Sequence, residues 1–117
     1  NKDIEVWGTG RAERDLLYVS DLVDAVERVI SRQKNSFELV NIGSGQSISI
    51  SNLVGKIIAT SGKALDIVYN TDKPDIDTKV CLDTGKAERL FDWRPQVPMN
   101  EGIVKTLNWF SNFYKVQ

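Results

Sequence analysis

Two arginines follow a glycine turn near the start of the chain, and this spacing is suited to binding an anion. The segment Trp7–Leu22 reads W-G-T-G-R-A-E-R-D-L-L-Y-V-S-D-L. Arg11 and Arg14 come directly after the turn, where a guanidinium can hold a phosphate through two parallel hydrogen bonds. For Arg14 the alternative is an ion pair with Glu13 or Asp15, and the residues alone support both interpretations equally. Arg11 is expected to be solvated.

Three other residues near turns have alternative interpretations. Trp7 ends a predicted strand and could stack on a base or a sugar, although an isolated tryptophan more often lies in a core. Asp75 and Lys79 flank a proline loop, and without further context both are ordinary surface charges.

Two patterns resemble a cofactor-binding motif and a catalytic motif, but the residues around them do not fit either motif. Gly43-Ser44-Gly45 follows a predicted strand, but Ile48 replaces the third glycine of a dinucleotide-binding loop, which predicts a plain turn with no cofactor role. Tyr69 and Lys73 have the spacing that places both side chains on one helix face for proton transfer, but the intervening residues predict a turn. With no histidine and only Cys81, metal sites and nucleophilic triads have little support.

The composition is that of a globular domain or of a piece of a larger protein. The chain has 117 residues, of which 41% are hydrophobic and 26% are charged. A net charge of -1 argues against general nucleic-acid binding. No apolar run reaches the roughly 20 residues of a membrane span. The lone Cys81, with no secretory segment and no glycosylation acceptor, predicts a cytoplasmic protein. A start at Asn1 without methionine predicts a fragment.

Short apolar segments that alternate between strand and helix periods predict a mixed α/β fold with about five strands and four helices. The expected strands are Ile4–Trp7, Leu16–Val19, Phe37–Ile42, Leu65–Tyr69 and Lys79–Leu82. The expected helix starts are Ser20, Ser49 or Ser51, Asp83–Thr84 and Met99–Asn100, with Gly62 ending the second helix. The residues expected to be buried in the last two helices are Ala87, Leu90, Phe91, Ile103, Val104, Leu107, Phe110 and Tyr114. These elements are too few for a complete doubly wound nucleotide-binding domain.

Several segments together resemble the C-terminal, substrate-binding part of the extended short-chain dehydrogenase/reductase family, which comprises NAD(P)-dependent nucleotide-sugar epimerases, dehydratases and reductases. In chain order they are G-T-G-R-A-E-R-D-L-L-Y-V-S-D-L, F-E-L-V-N-I-G-S-G-Q-S-I-S-I, D-K-P-D, C-L-D-T-G-K-A-E-R-L-F-D-W-R-P and M-N-E-G-I-V-K-T-L-N-W-F. Each segment alone is weak, but their order is specific to the family. The resemblance implies that residues 1–117 are a small C-terminal nucleotide-sugar-binding domain of a longer enzyme.

The resemblance also implies a binding site and a class of substrate. The implied substrate-binding residues are Trp7, Arg14, Asp75 and Lys79. Arg14 would hold the diphosphate of the nucleotide sugar. The pairing of W-G-T-G with K-P-D is most similar to family members that epimerise and reduce GDP-4-keto-6-deoxymannose with NADPH. Ser20, Asp77-Thr78 and Val80 depart from the family pattern, so enzymes that act on UDP- or dTDP-sugars remain alternatives.

In this family the cofactor loop and the catalytic residues lie in an N-terminal Rossmann domain, and none of its motifs occurs in this chain. The resemblance therefore implies that the chain binds no cofactor, contributes no catalytic residue or metal ligand, and is inactive alone. The longer parent would bind NAD or NADP. The expected partners are a nucleotide sugar and the missing Rossmann domain, with a homodimeric parent and no nucleic acid or membrane. The alternative of another class is a non-catalytic nucleotide-binding or regulatory module.

Overall fold

A computed structural model describes residues 2–114, which form four helices and four short strands. The strands are β1 (Asp3–Trp7), β2 (Glu13–Asp15), β3 (Ser47–Ser49) and β4 (Asp66–Asn70). The helices are α1 (Val19–Arg32), α2 (Ile50–Ser61), α3 (Gly85–Phe91) and α4 (Met99–Tyr114). The predicted mixed α/β class is confirmed. None of the helices in this range is long and apolar enough to cross a membrane.

The strands form two separate two-stranded sheets. β1 pairs with β4 in parallel, so that Trp7 lies opposite Asn70 at the end of both strands. β2 pairs with β3 in the antiparallel sense, and Arg14 lies opposite Ile48. The first and fourth predicted strands are therefore confirmed to within one residue.

The predicted strand over Leu16–Val19 is wrong. The extended pairing occurs earlier, in β2, and Val19 is already the first residue of α1. Tyr18 is the N-cap of this helix, so the predicted cap at Ser20 is also wrong. Leu17 packs against the buried core instead of joining a sheet, which explains an apolar segment without strand pairing.

The predicted strand over Phe37–Ile42 is also wrong, because no strand of the described chain pairs with it. Its side chains nevertheless alternate with the period of an extended chain. Val40 and Ile42 pack against the core, whereas Phe37 and Leu39 are 77% and 76% exposed. The segment therefore shows the alternating exposure of an extended chain but has no strand partner in the described residues.

The centre of the core is a cluster of buried side chains on α1, α3 and the loop after α3. Its members are Ala25, Ala87, Phe91 and Trp93, with Leu17, Val29, Val40 and Ile42 packed against them. Beside it, the buried Asp21 carboxylate accepts the backbone N–H groups of Gln96 and Val97 at 3.0 Å each. The Asp21 carbonyl accepts the indole N–H of Trp93 at 3.1 Å. These bonds hold the loop that precedes α4 against α1.

Helix α1 turns its apolar side away from this core. Its buried residues are Asp21 and Ala25. The exposed apolar residues are Val19, Leu22, Val23, Val26 and Ile30. Ile30 is 79% exposed. An amphipathic helix normally buries its apolar stripe, whereas the stripe of α1 is exposed in the described chain.

The caps of α2 lie at predicted positions. The Ser49 hydroxyl accepts the N–H of Asn52 at 3.2 Å, and Gly62 ends the helix with φ of 67°. The predicted starts of α3 and α4 are confirmed as well, with Thr84 as the N-cap of α3 and Met99 as the first residue of α4.

Burial in α3 and α4 follows the prediction only near the core. Ala87, Phe91 and Ile103 are buried and Leu107 is half-buried, as expected. The predicted burial is wrong for Leu90, Val104, Phe110 and Tyr114. The aromatic rings near the end of α4 are exposed and contact each other, with the Phe110 and Tyr114 centroids 4.7 Å apart.

Candidate functional site

Strand β2 carries the charged residues of the site. On one side it pairs with β3. On the other side, the Glu13 N–H donates to the Thr78 carbonyl at 2.9 Å and the Val80 N–H donates to the Glu13 carbonyl at 3.0 Å. The predicted strand Lys79–Leu82 is thus reduced to one parallel bridge, between Glu13 and Lys79. Because side chains alternate along a strand, Arg14 projects from one face while Glu13 and Asp15 project from the other.

The half-buried Arg14 is held by neutral oxygens. Its Nη1 donates to the carbonyls of Glu13 and Thr78 at 2.7 and 2.9 Å, and contacts the Thr78 hydroxyl at 3.2 Å. Within residues 2–114 no carboxylate lies within 4.0 Å of its guanidinium. The alternative interpretation, an ion pair with Glu13 or Asp15, is therefore absent from the described structure. The Arg14 charge is oriented but not neutralised by direct contact.

Asp75 fastens the loop after β4 to the glycine turn after β1. Its carboxylate accepts the Thr9 N–H at 2.9 Å and the Thr9 hydroxyl at 3.0 Å. These two hydrogen bonds, and more weakly the charges of Arg11 and Arg14, hold the pKa of Asp75 below its usual value. Asp75 also lies so close to Gly8 that a Cβ there would be 2.2 Å from the Asp75 Cγ. The turn therefore requires glycine at this position.

Trp7 lies at the same end of the molecule and does not belong to the core. Its ring is 58% exposed, and its indole N–H donates to Glu5 at 2.8 Å. The Lys73 Nζ lies 5.4 Å from the ring centroid. Trp7 directly precedes the glycine turn that contacts Asp75, and Asp75 is within electrostatic range of Arg14. Three of the four predicted site residues are brought to one region.

Lys79 is the exception. It lies opposite Glu13 in the parallel bridge, and its Nζ is 3.2 Å from the Glu13 carboxylate. Glu13 also accepts the Ser47 hydroxyl at 2.6 Å, and this bond together with Lys79 lowers the pKa of Glu13. Lys79 therefore lies on the opposite face of β2 from Arg14. Arg11 is largely solvated, as expected, because its side chain is 74% exposed. It makes a long ion pair with the exposed Asp77, with Nη2 3.7 Å from Oδ2.

Asp15 organises the turn that imitates a dinucleotide loop. The N–H groups of Ser44 and Gly45, which a bound phosphate would use, donate to the Asp15 carboxylate at 2.7 and 2.9 Å. The residues of this turn do not fit a dinucleotide cofactor, because their donors already bind a carboxylate of the same chain and Ile48 occupies the third glycine position. No step through a cofactor is assigned to this chain.

Tyr69 and Lys73 do not form a catalytic pair. Tyr69 is in β4, where its hydroxyl donates to Ser51 at 3.0 Å, and Lys73 lies in the following turn. The prediction that their spacing is coincidental is confirmed. Among residues 2–114 no group of three or more His, Cys, Asp or Glu side chains is arranged to hold a metal ion.

The predicted site residues are separate from a large cavity of the described chain. A cavity of about 940 Å³ lies elsewhere, between α2 and residues 95–100, and none of the four predicted site residues lines it. Thr9, Asp15 and Thr78 hold the site together, but the sequence predicted none of them as a site residue. The alternating charges Glu13-Arg14-Asp15 were the available signal, since neighbouring residues of a strand face opposite ways.

Comparison with known proteins places the chain in a family. Residues 1–106 match the model of the family described as GDP-mannose 4,6 dehydratase. A curated relative, the probable GDP-L-fucose synthase 1 of Oryza sativa subsp. japonica, is 35% identical over 111 residues. That match covers 92% of this chain and 32% of the relative. The chain therefore spans about a third of the length of the curated relatives it matches.

Solved structures agree with this assignment. An epimerase from Methanothermobacter thermautotrophicus has a TM-score of 0.90 and 27% identity, over 98% of this chain and 34% of that one. A UDP-glucose 4-epimerase from Thermotoga maritima, solved with UDP-glucose, has a TM-score of 0.85 and 28% identity, over 96% of this chain and 36% of that one. The chain matches the C-terminal part of such proteins. It belongs to the GDP-mannose 4,6 dehydratase family, among the nucleotide-sugar epimerases, dehydratases and reductases of the short-chain dehydrogenase class.

Proposed function

We propose that this chain is the nucleotide-sugar-binding part of a longer NAD(P)-dependent enzyme, and that Arg14 binds the diphosphate of its substrate. Within the family we infer a GDP-sugar substrate, as for a GDP-L-fucose synthase, which epimerises and reduces GDP-4-keto-6-deoxymannose. The relative from rice with that name supports this choice. A non-catalytic module is not favoured.

The uncompensated charge of Arg14 is the observation that carries this proposal. Three bonds from Nη1 to neutral oxygens fix the guanidinium, yet no carboxylate of the described chain pairs with it. An arginine that serves only stability usually pairs with an acid, because removing a cation from water without a partner is unfavourable. A diphosphate would supply the missing negative charge and accept the remaining N–H groups in a charge-assisted geometry.

The neighbours of Arg14 fit the two other parts of a nucleotide sugar. The exposed Trp7 ring offers an apolar face for a base or a sugar. The Asp75 carboxylate would accept hydrogen bonds from hydroxyl groups of the ligand, which would either replace its bonds from Thr9 or add to them. A Lys79 contact with the same ligand would require Lys79 to leave Glu13, so we expect it to contribute less than Arg14.

The apolar side of α1 and the segment 37–42 form the surface that we assign to the missing Rossmann domain. The helix exposes Leu22, Val23, Val26 and Ile30. The neighbouring segment is extended and exposes Phe37 and Leu39, and its backbone has no strand partner in the described chain. An unpaired extended segment with exposed apolar side chains is suited to joining the edge of another sheet. The chain spans only about a third of its curated relatives, which leaves ample room for such a domain.

In the complete enzyme this chain would bind and orient the substrate and form one wall of the cleft. The bound NAD or NADP would supply hydride chemistry, held by residues of the other domain. Arg14 would fix the diphosphate, so that the sugar ring is presented to that domain in one orientation. The chain alone is expected to turn over no nucleotide sugar, because this division of labour leaves it without a proton-transferring group.

The test is the kinetics of the full-length parent with Arg14→Ala. A lost charge-assisted contact of about 1.5–3 kcal/mol should raise KM for the GDP-sugar by roughly 10- to 150-fold, a far larger effect than the change in fold stability from losing the Arg14 bonds to Glu13 and Thr78. Arg11→Ala is the matched control, since it removes an equal charge from an exposed position three residues away. An unchanged KM in Arg14→Ala would overturn the proposal, and a preference for UDP- or dTDP-sugars would overturn its GDP assignment.

A further inference from the structure

The half-buried Asp15 carboxylate gathers three separate segments of the chain. One oxygen accepts the Ser44 N–H at 2.7 Å and the Ser44 hydroxyl at 2.6 Å. The other accepts the Gly45 N–H at 2.9 Å and the Leu82 N–H at 3.1 Å. β2, the 43–45 turn and the segment after Lys79 are thereby tied to one side chain.

The bond from Leu82 extends the pairing between β2 and residues 78–82 beyond the last backbone contact. Glu13 makes two backbone bonds to this segment, through Thr78 and Val80. At the next position along the pair, the Asp15 side chain accepts the Leu82 N–H. The carboxylate therefore fixes the register of residues 78–82 against β2 where backbone pairing stops.

This register determines where Arg14 is held. The carbonyl and the hydroxyl of Thr78 are two of the oxygens that orient the Arg14 Nη1. The fit around Asp15 is tight, because a Cβ on Gly43 would lie 2.8 Å from Leu82 Cδ1 and 3.1 Å from Asp15 Oδ2. A shift of residues 78–82 would move Thr78 and release the guanidinium on the other face of the strand.

We propose that Asp15 is a positioning residue for the diphosphate site, acting through Thr78 on Arg14 without touching the ligand. The inference rests on the proposed role of Arg14. The Asp15 carboxylate is the acceptor in all four of its hydrogen bonds. Asparagine has the same size, but its carboxamide would turn an N–H donor toward backbone N–H groups. Although partial burial opposes ionisation, the bonds from Ser44, Leu82 and Gly45 lower the pKa of Asp15, so the acceptor form persists at neutral pH.

The test is a double-mutant cycle in the full-length parent, with GDP as the probe and its dissociation constant as the readout. Asp15→Asn is expected to weaken GDP binding about tenfold, as a small misplacement of a binding group does. In the Arg14→Ala background the same change should alter GDP binding by less than about twofold, because the residue it positions is gone. Asp66→Asn, at an exposed position in β4, is the control for loss of a carboxylate.

A purely structural role would give a different result. The positioning role would be overturned if the two variants weakened GDP binding by factors that multiply in the double variant, or if Asp15→Asn alone left GDP binding unchanged. Either result would leave the proposed function intact. GDP binding unchanged by Arg14→Ala would overturn both. If Asp15→Asn does not fold, Ser44→Ala keeps the Ser44 N–H bond to Asp15 and removes the hydroxyl bond, together with the contacts of that hydroxyl with Gln46. Its smaller loss must likewise disappear in the Arg14→Ala background.

Discussion

Replacing the buried Asp21 by alanine should destabilise the chain strongly, although Asp21 is not among the predicted ligand-binding residues. The change removes the two bonds from the N–H groups of Gln96 and Val97 and leaves both donors without their acceptor. A bond to a charged group contributes about 1.5–3 kcal/mol, and part of this is offset because the carboxylate no longer has to be buried. We expect a net loss of about 3 kcal/mol.

The measurement is thermal unfolding of the isolated chain by circular dichroism. For a domain of this size, a loss of about 3 kcal/mol lowers the midpoint by roughly 10–20 °C. Asp24→Ala is the matched control on the same helix, because Asp24 bonds only to Arg28 one turn away, and such a pair contributes about 0.5 kcal/mol or less. Equal midpoints for the two variants would refute the claim that Asp21 holds the loop before α4.

Three further predictions concern packing, the exposed surface and pH. Gly8→Ala should destabilise the chain more than Gly62→Ala, since both glycines have positive φ but only Gly8 faces an atom at 2.2 Å; equal losses in chemical denaturation would contradict this. Ile30→Lys should change the free energy of unfolding of the isolated chain by less than about 0.5 kcal/mol and weaken its association with the separately expressed Rossmann domain; unchanged association in a titration would contradict the assigned surface. Because the pKa of Asp15 is lowered in the folded chain, its contribution to the free energy of unfolding is complete above its ordinary pKa of 3.8 and is lost as pH falls through the lower folded value. Between about pH 5 and pH 2, the Asp15→Asn variant should therefore lose less stability than the unchanged chain. Identical stability profiles against pH would contradict this.

Local features of the fold could be predicted because their causes are local. Ser49 caps α2 through a bond to a residue three positions ahead, and Gly62 ends it through its own backbone conformation. The strand assigned to Phe37–Ile42 failed for the opposite reason. Its strand-favouring residue types are a local feature, whereas pairing depends on a second strand that the described chain does not provide.

The substrate-binding role of the site residues stays a prediction, and only part of their arrangement follows from local sequence. The glycine turn and its following arginines made Arg14 a candidate, and the family resemblance assigned Trp7, Asp75 and Lys79 to the same site. The oxygens of Thr78 that hold Arg14 come from 64 residues away, so no local pattern reveals them. The placement of Lys79 beside Glu13 also follows from strand register and not from residue type.

The most direct test of the central claim compares the binding of GDP and guanosine to the full-length parent and to its Arg14→Lys variant by calorimetry. A point ammonium cannot reproduce the fork of a guanidinium, so the account predicts that GDP binding weakens at least about tenfold while guanosine binding is unchanged. Equal affinity of both proteins for GDP, or an equal loss for GDP and guanosine, would contradict a diphosphate contact at residue 14.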